Sequence, residues 1–143
     1  MGLQVALQQF ELPALSARRD GQKKLGAIVL GSDQGMCGPL NDQVVSHVAR
    51  ALKKLAVSGE NRAILAVGAR AAAQLEARGF RVDAVLRVPT SLIGIAAVVE
   101  QVLDKIDEWH TSQAIDWIAL FHARPHGGRV ASRAWNTVAA RGR

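Results

Sequence analysis

The chain is poor in the residues from which most active sites are built. Its single cysteine, Cys37, excludes an internal disulfide and fits a reducing compartment. Tyrosine is absent, and three Trp and three Phe are the only aromatics, so platforms for stacking bases are scarce. No apolar run reaches membrane-spanning length. The longest nearly uncharged stretch, residues 88–99, is broken by Pro89, Thr90, Ser91 and Gly94. No charged-then-apolar pattern is readable at the N-terminus, so no signal peptide is expected. Heptad runs, internal repeats and low-complexity tracts are also missing, which argues against a coiled coil or a solenoid.

What is present suits one ordinary globular domain. The 143 residues are 49% hydrophobic and 21% charged, enough for a real core. Lys and Arg outnumber Asp and Glu by 18 to 12, giving a net charge of +6. The basic residues are scattered, with small clusters at Arg18, Arg19, Lys23 and Lys24 and at Arg141 and Arg143. No basic helix face is interleaved with aromatics, so nucleic acid is not an expected partner; an acidic protein surface or plain solvation accounts for the excess.

Read in order, residues 1–24 form an N-terminal arm and basic linker. Leu3, Val5, Leu7 and Phe10 fit either strand or helix spacing, Pro13 ends any helix near Leu12, and Gly21 is a pivot. The arm is expected to dock loosely. Residues 25–140 are expected to form the domain proper. Leu25 to Leu30 is apolar on both faces, the pattern of a central parallel strand. Leu40, Val44, Val48, Leu52 and Leu55 then make one helical stripe, with Arg50, Lys53 and Lys54 near the end that the helix dipole favours for cations.

Residues 62–67 repeat the buried-strand pattern, Gly68 turns the chain, and Ala69 to Arg78 form a short helix ended by Gly79. Phe80 to Val88 reads as a half-buried strand. Pro89, Thr90 and Ser91 start the longest helix, Leu92 to His110, whose stripe of Leu92, Ile95, Ala96, Val99, Val102, Leu103, Ile106 and Trp109 is expected to face the core. Ile115 to His122 is a further strand. The turn 125–128 leads into residues 129–138, expected to pair with it as an antiparallel hairpin and to form a polar sheet edge. The three Trp residues are expected in core or boundary packing with satisfied indole N–H groups. The fold class is therefore α/β: a three-layer open, mostly parallel, Rossmann-like sheet with helices on both faces and a C-terminal antiparallel hairpin.

The tight turn after the first strand, GSDQGMCG (31–38), is the place to look for chemistry. A helix N-terminus with nearby glycines can hold phosphate, but Gly31, Gly35 and Gly38 have neither dinucleotide nor P-loop spacing. Cys37 near that helix start could be an activated thiol, yet the loop supplies no base. Asp33 has no carboxylate partner nearby and suits a turn-capping role. His47, His110, His122 and His126 do not share the spacing of a metal site. No catalytic, cofactor-binding or metal residue is assigned; a small nucleotide- or anion-binding domain is the alternative that remains.

Residues 28–41, IVLGSDQGMCGPLN, resemble the signature opening the globular domain of the F-type ATP synthase gamma subunit. That family shows an apolar strand followed by Ser-Asp-Arg-Gly-Leu-Cys-Gly-Gly-Leu-Asn. Ser32, Asp33, Gly35, Cys37, Gly38, Leu40 and Asn41 match it, while Gln34, Met36 and Pro39 depart from it. Residues 63–79 and the Pro-Thr-Ser entry to the long helix resemble the family more weakly. The long flanking helices of the family's shaft have no counterpart here, so the chain resembles the globular domain alone. The resemblance implies a rotor component of the central stalk that transmits torque without a catalytic site of its own. It implies no cofactor. As partners it implies the epsilon subunit, the membrane c-ring and the alpha/beta catalytic hexamer, at the cytoplasmic face of a bacterial inner membrane.

Overall fold

Strand β2, Leu25–Leu30, has five of its six residues buried, and it forms the middle of the sheet. The computed structural model describes residues 8–10, 24–31, 40–55, 59–115, 117–123 and 130–136. β2 pairs in parallel with β3 (Arg62–Val67) on one side and with β5 (Trp117–Ala123) on the other. A short β4 (Ala84–Leu86) adds in parallel to β3. These four strands, in the order β5-β2-β3-β4, are the parallel core that the apolar runs led us to expect.

Two further strands extend the sheet beyond β5. β6 (Val130–Asn136) runs antiparallel to β5, with Trp117 opposite Asn136 and Ala123 opposite Val130. The connection between them lies outside the described residues. β1 (Gln8–Phe10) runs antiparallel to β6 on its other side. Two expectations are corrected by this pairing. The last strand is not an edge, because β1 covers it, and the N-terminal arm contributes three residues to the sheet.

The helices divide between the two faces as the chain's steps require. Helix α1 (Leu40–Leu55) links β2 to β3, and α2 (Ala69–Ala77) links β3 to β4, both stepping the same way across the sheet. Helix α3 (Leu92–Gln113) links β4 back to β5 over β3 and β2. Right-handed crossovers in opposite directions put their helices on opposite faces. The core is split accordingly. Val44, Val48, Leu52, Ala72 and Leu75 pack with Leu25, Ala27, Val29 and Phe121 on one face. Ile106 and Trp109 pack with Ile28, Leu65 and Ile118 on the other.

Local signals set the element ends. Asp42 lies in the first turn of α1 and Lys53 and Lys54 in its last, each at the end the dipole favours. The Ser91 hydroxyl caps α3 by accepting from the Gly94 N–H at 3.0 Å. α3 ends at Ala114, a left-handed residue with φ of 57°, after which the Ile115 N–H donates to the Trp109 carbonyl. β4 is much shorter than the expected 80–88. Before it, Asp83 meets β3 with its carboxylate as well as its backbone, and ladder pairing begins only at Ala84.

One difference matters most. The apolar stripe of α3 is buried only in its second half, at Ile106 and Trp109, while Leu92 is 83% and Ile93 84% exposed. The first turns of the helix stand away from the sheet. Trp109 is fully buried, but its indole Nε1 meets no acceptor among the described residues, against the expectation of a satisfied boundary tryptophan.

Candidate functional site

The signature loop begins where β2 ends. Of its residues, Ser32, Asp33, Gly35, Cys37 and Gly38 lie outside the described residues. Leu40 opens α1, and Asn41, at the helix's second position, is 1% exposed, the one buried polar side chain in the described core. Gly31 fixes how strand and helices meet. Its N–H donates to the Val67 carbonyl at 2.8 Å, continuing the β2–β3 ladder by one bond. A Cβ at Gly31 would lie 2.4 Å from the Ala71 Cβ and 2.8 Å from Asn41 Oδ1. The glycine therefore lets α1 and α2 close over the end of β2.

A matching turn follows β3. Gly68 has φ of 117°, in the region that favours glycine, and its N–H donates to the Leu86 carbonyl at 2.8 Å. Both turns thus extend the sheet's hydrogen bonding past its last formal pairs. Their small residues bring backbone against backbone.

Among the described residues no group of three His, Cys, Asp or Glu side chains could hold a metal ion. Nor is any helix among them long and apolar enough to cross a membrane. His47 sits on α1 with its ring edge-on to Phe121, centroids 5.8 Å apart. Burial and then the Arg50 charge hold its pKa below the ordinary 6.5. Arg78 on the same face donates to the Ser46 hydroxyl at 3.0 Å, tying the end of α2 to α1.

The other face carries a concave feature. Where the first half of α3 stands off the sheet, a groove of ≈ 480 Å³ opens between Ile28, Leu30 and Val67 below and Ile95, Val99 and Val102 above. None of its fourteen lining residues has a polar side chain. Sites for small substrates usually combine an apolar wall with a few placed polar groups that fix orientation. Lacking them, this groove suits packing against apolar side chains. Sequence reasoning missed it by treating the stripe of α3 as one inward face. The signal was there: Leu92, Ile93, Ile95, Ala96, Ala97, Val98 and Val99 surround the helix on all sides, which implies contact with more than one surface.

Comparison with known proteins places the fold in context. The sequence profile of the ATP synthase family matches residues 3–134. Among characterised relatives, the ATP synthase gamma chain of a Cyanothece strain is 30% identical over 129 residues, and that of Nostoc punctiforme is 28% identical over the same length. Each alignment takes in 86% of this chain but only 39% of the relative, so the chain spans about two fifths of the gamma chains it matches. Among solved structures, the central stalk and c-ring of Tetrahymena thermophila mitochondrial ATP synthase gives a TM-score of 0.61 at 18% identity, over 83% of this chain and 51% of that one. At that identity the likeness speaks for the fold. The matched profile covers the β2–α1 turn, the three described helices and the parallel core, and on that footing the chain belongs to the ATP synthase family, its similar relatives being gamma chains.

Proposed function

We propose that this chain is a non-catalytic, gamma-type central-stalk domain that transmits torque between the membrane c-ring and the catalytic hexamer of an ATP synthase. The observation that carries the reading is the 129-residue alignment with gamma chains, which runs through both glycine turns and the α3 crossover. The physics of the fold supports it. A parallel core covered on both faces is stiff, and the apolar groove and charged helix faces offer contact area without converging acids and bases. The signature residues Ser32, Asp33, Gly35, Cys37, Gly38, Leu40 and Asn41 then serve as a packing device for the first strand and helix. The epsilon subunit and the c-ring are the partners proposed, at the cytoplasmic face of a bacterial inner membrane.

The test is to replace the corresponding segment of a cyanobacterial gamma chain by residues 8–136 and to assemble the complex in vesicles. Assembly with epsilon and the c-ring, together with proton pumping driven by ATP, is the expected result. A folded chimera that binds neither partner would overturn the reading. A thermal shift of the isolated chain by nucleotide or phosphate would favour the small anion-binding alternative instead.

A further inference from the structure

The sheet separates helix layers of opposite charge, and we propose that the outer surface of α1 and α2 is a docking surface for an acidic polypeptide segment.

Charges that are scattered along the sequence are gathered by the fold. On one face of the sheet, α1, α2 and the α2 cap residue carry Arg50, Lys53, Lys54, Arg70 and Arg78 against Asp42 and Glu76. On the other face, α3 reverses the balance, with Glu100, Asp104, Asp107 and Glu108 against Lys105. The five cations of the first face are all exposed. None of them forms an ion pair among the described residues. A surface of one dominant sign attracts and orients a partner of the other.

Helix stability accounts for only part of this surface. Lys53 and Lys54 stand in the last turn of α1, where the dipole favours cations. Arg70 stands at the opposite kind of position. It is the second residue of α2, and no acid accompanies it in the first turn. A cation there opposes the dipole. A residue that weakens its own helix points to a role outside that helix. The class of partner follows from what the surface lacks. The exposed large apolar residues Leu30, Val85, Leu92, Ile93, Ile95 and Val99 all belong to other elements, and α1 and α2 carry no Phe, Trp or Tyr. Helices that bind membranes set apolar side chains beside their cations, and single-stranded nucleic acid is held by stacking. The carboxylates of an acidic segment ask for neither, since guanidinium and ammonium groups bind them directly.

Fluorescence anisotropy of a labelled peptide of Glu and Ala, titrated with the full 143-residue chain, tests the proposal. Binding with a Kd of about 1–100 µM is expected, weakening as salt is raised. The triple variant Arg50→Gln, Lys53→Gln, Arg70→Gln alters exposed side chains only, so circular dichroism should be unchanged while affinity falls about tenfold. A second triple variant, Arg87→Gln, Arg141→Gln, Arg143→Gln, removes the same charge elsewhere and should bind as the parent does. That comparison separates this surface from the overall net charge of +6. Arg70→Glu should weaken binding and raise the melting temperature together, because an acid at that position suits the helix start. No binding in that range overturns the proposal, as does equal weakening by both triple variants. So does a lower melting temperature for Arg70→Glu, which would make Arg70 a structural residue. Tighter binding to phosphatidylglycerol vesicles or to DNA than to the peptide would overturn it as well.

Discussion

Asp83 and Ile64 exchange two hydrogen bonds across the margin of β3. The Asp83 N–H donates to the Ile64 carbonyl at 2.8 Å, and the Ile64 N–H donates to Asp83 Oδ2 at 3.0 Å. A side-chain carboxylate stands where a neighbouring strand's carbonyl would be, so the bonding on this edge of β3 begins one residue before β4 does. Arg81 lies 3.6 Å from the second carboxylate oxygen but is itself 93% exposed, so the ion pair adds little to this arrangement. Removing the carboxylate leaves the Ile64 N–H without its acceptor. Asp83→Ala is expected to cost about 1–3 kcal/mol, read as a lower urea midpoint at unchanged m-value, with Asp83→Asn recovering part of the loss.

Gly26 is the second position where one atom decides the outcome. A Cβ there would lie 2.4 Å from Trp109 Cε3, inside any permitted contact. Gly26→Ala is expected to destabilise by about 1–3 kcal/mol through overpacking, with a change in tryptophan fluorescence as the indole is displaced. Trp109→Leu alone should also destabilise, by leaving a cavity. The double variant should be less damaged than the two losses added together, because the same volume is contested by both residues.

At the end of β2, Gly31→Ala should fail for a different reason, since its new methyl meets Ala71 on α2 and the amide oxygen of Asn41 on α1. Helices cannot yield as a side chain can. A loss of about 1–3 kcal/mol is expected, and Ala71→Gly in the same chain should return part of it in thermal unfolding. A Gly31→Ala variant as stable as the parent would remove the packing account of the signature turn.

Ala114 holds a left-handed conformation that costs an L-residue roughly 1–2 kcal/mol. Gly tolerates it freely but gives up more chain entropy on folding. Ala114→Gly is therefore expected to stabilise by about 0.5–1 kcal/mol, seen as a higher melting temperature.

His47 makes stability depend on pH. Its folded pKa is lowered from 6.5 by burial and by Arg50, so the unfolded chain binds the proton more readily. The contribution is present in full above the unfolded value and is lost as pH falls below about 6.5 toward the folded pKa. Urea titrations on either side of that value should show lower stability on the acid side, and His47→Gln should flatten this part of the profile.

The parallel core was legible because β2, β3 and β5 are apolar on both faces, a pattern few other structures tolerate. The helix boundaries followed from Ser91, Gly68 and Gly79, whose roles are local and chemical. What could not be read was tertiary. Nothing in residues 8–10 says that they pair with β6, since strand pairing over that separation leaves no local trace. The exposed start of α3 was misread because hydropathy records which residues avoid water, not which molecule shields them. The candidate site was legible as an identifier, through the spacing of Ser32, Asp33, Cys37 and Gly38. Its surface counterpart, the groove, exists only once α3 is folded back over β2.

The pairing of β1 with β6 sets Gln8 opposite Asn136 and Phe10 opposite Ala134. The first and last strands of the fold therefore lie side by side, although more than a hundred residues of chain separate them. A body whose entry and exit are neighbours can be hung on another polypeptide at a single point. Under the stalk role proposed above, load reaches this domain at the pair of antiparallel strands β1 and β6.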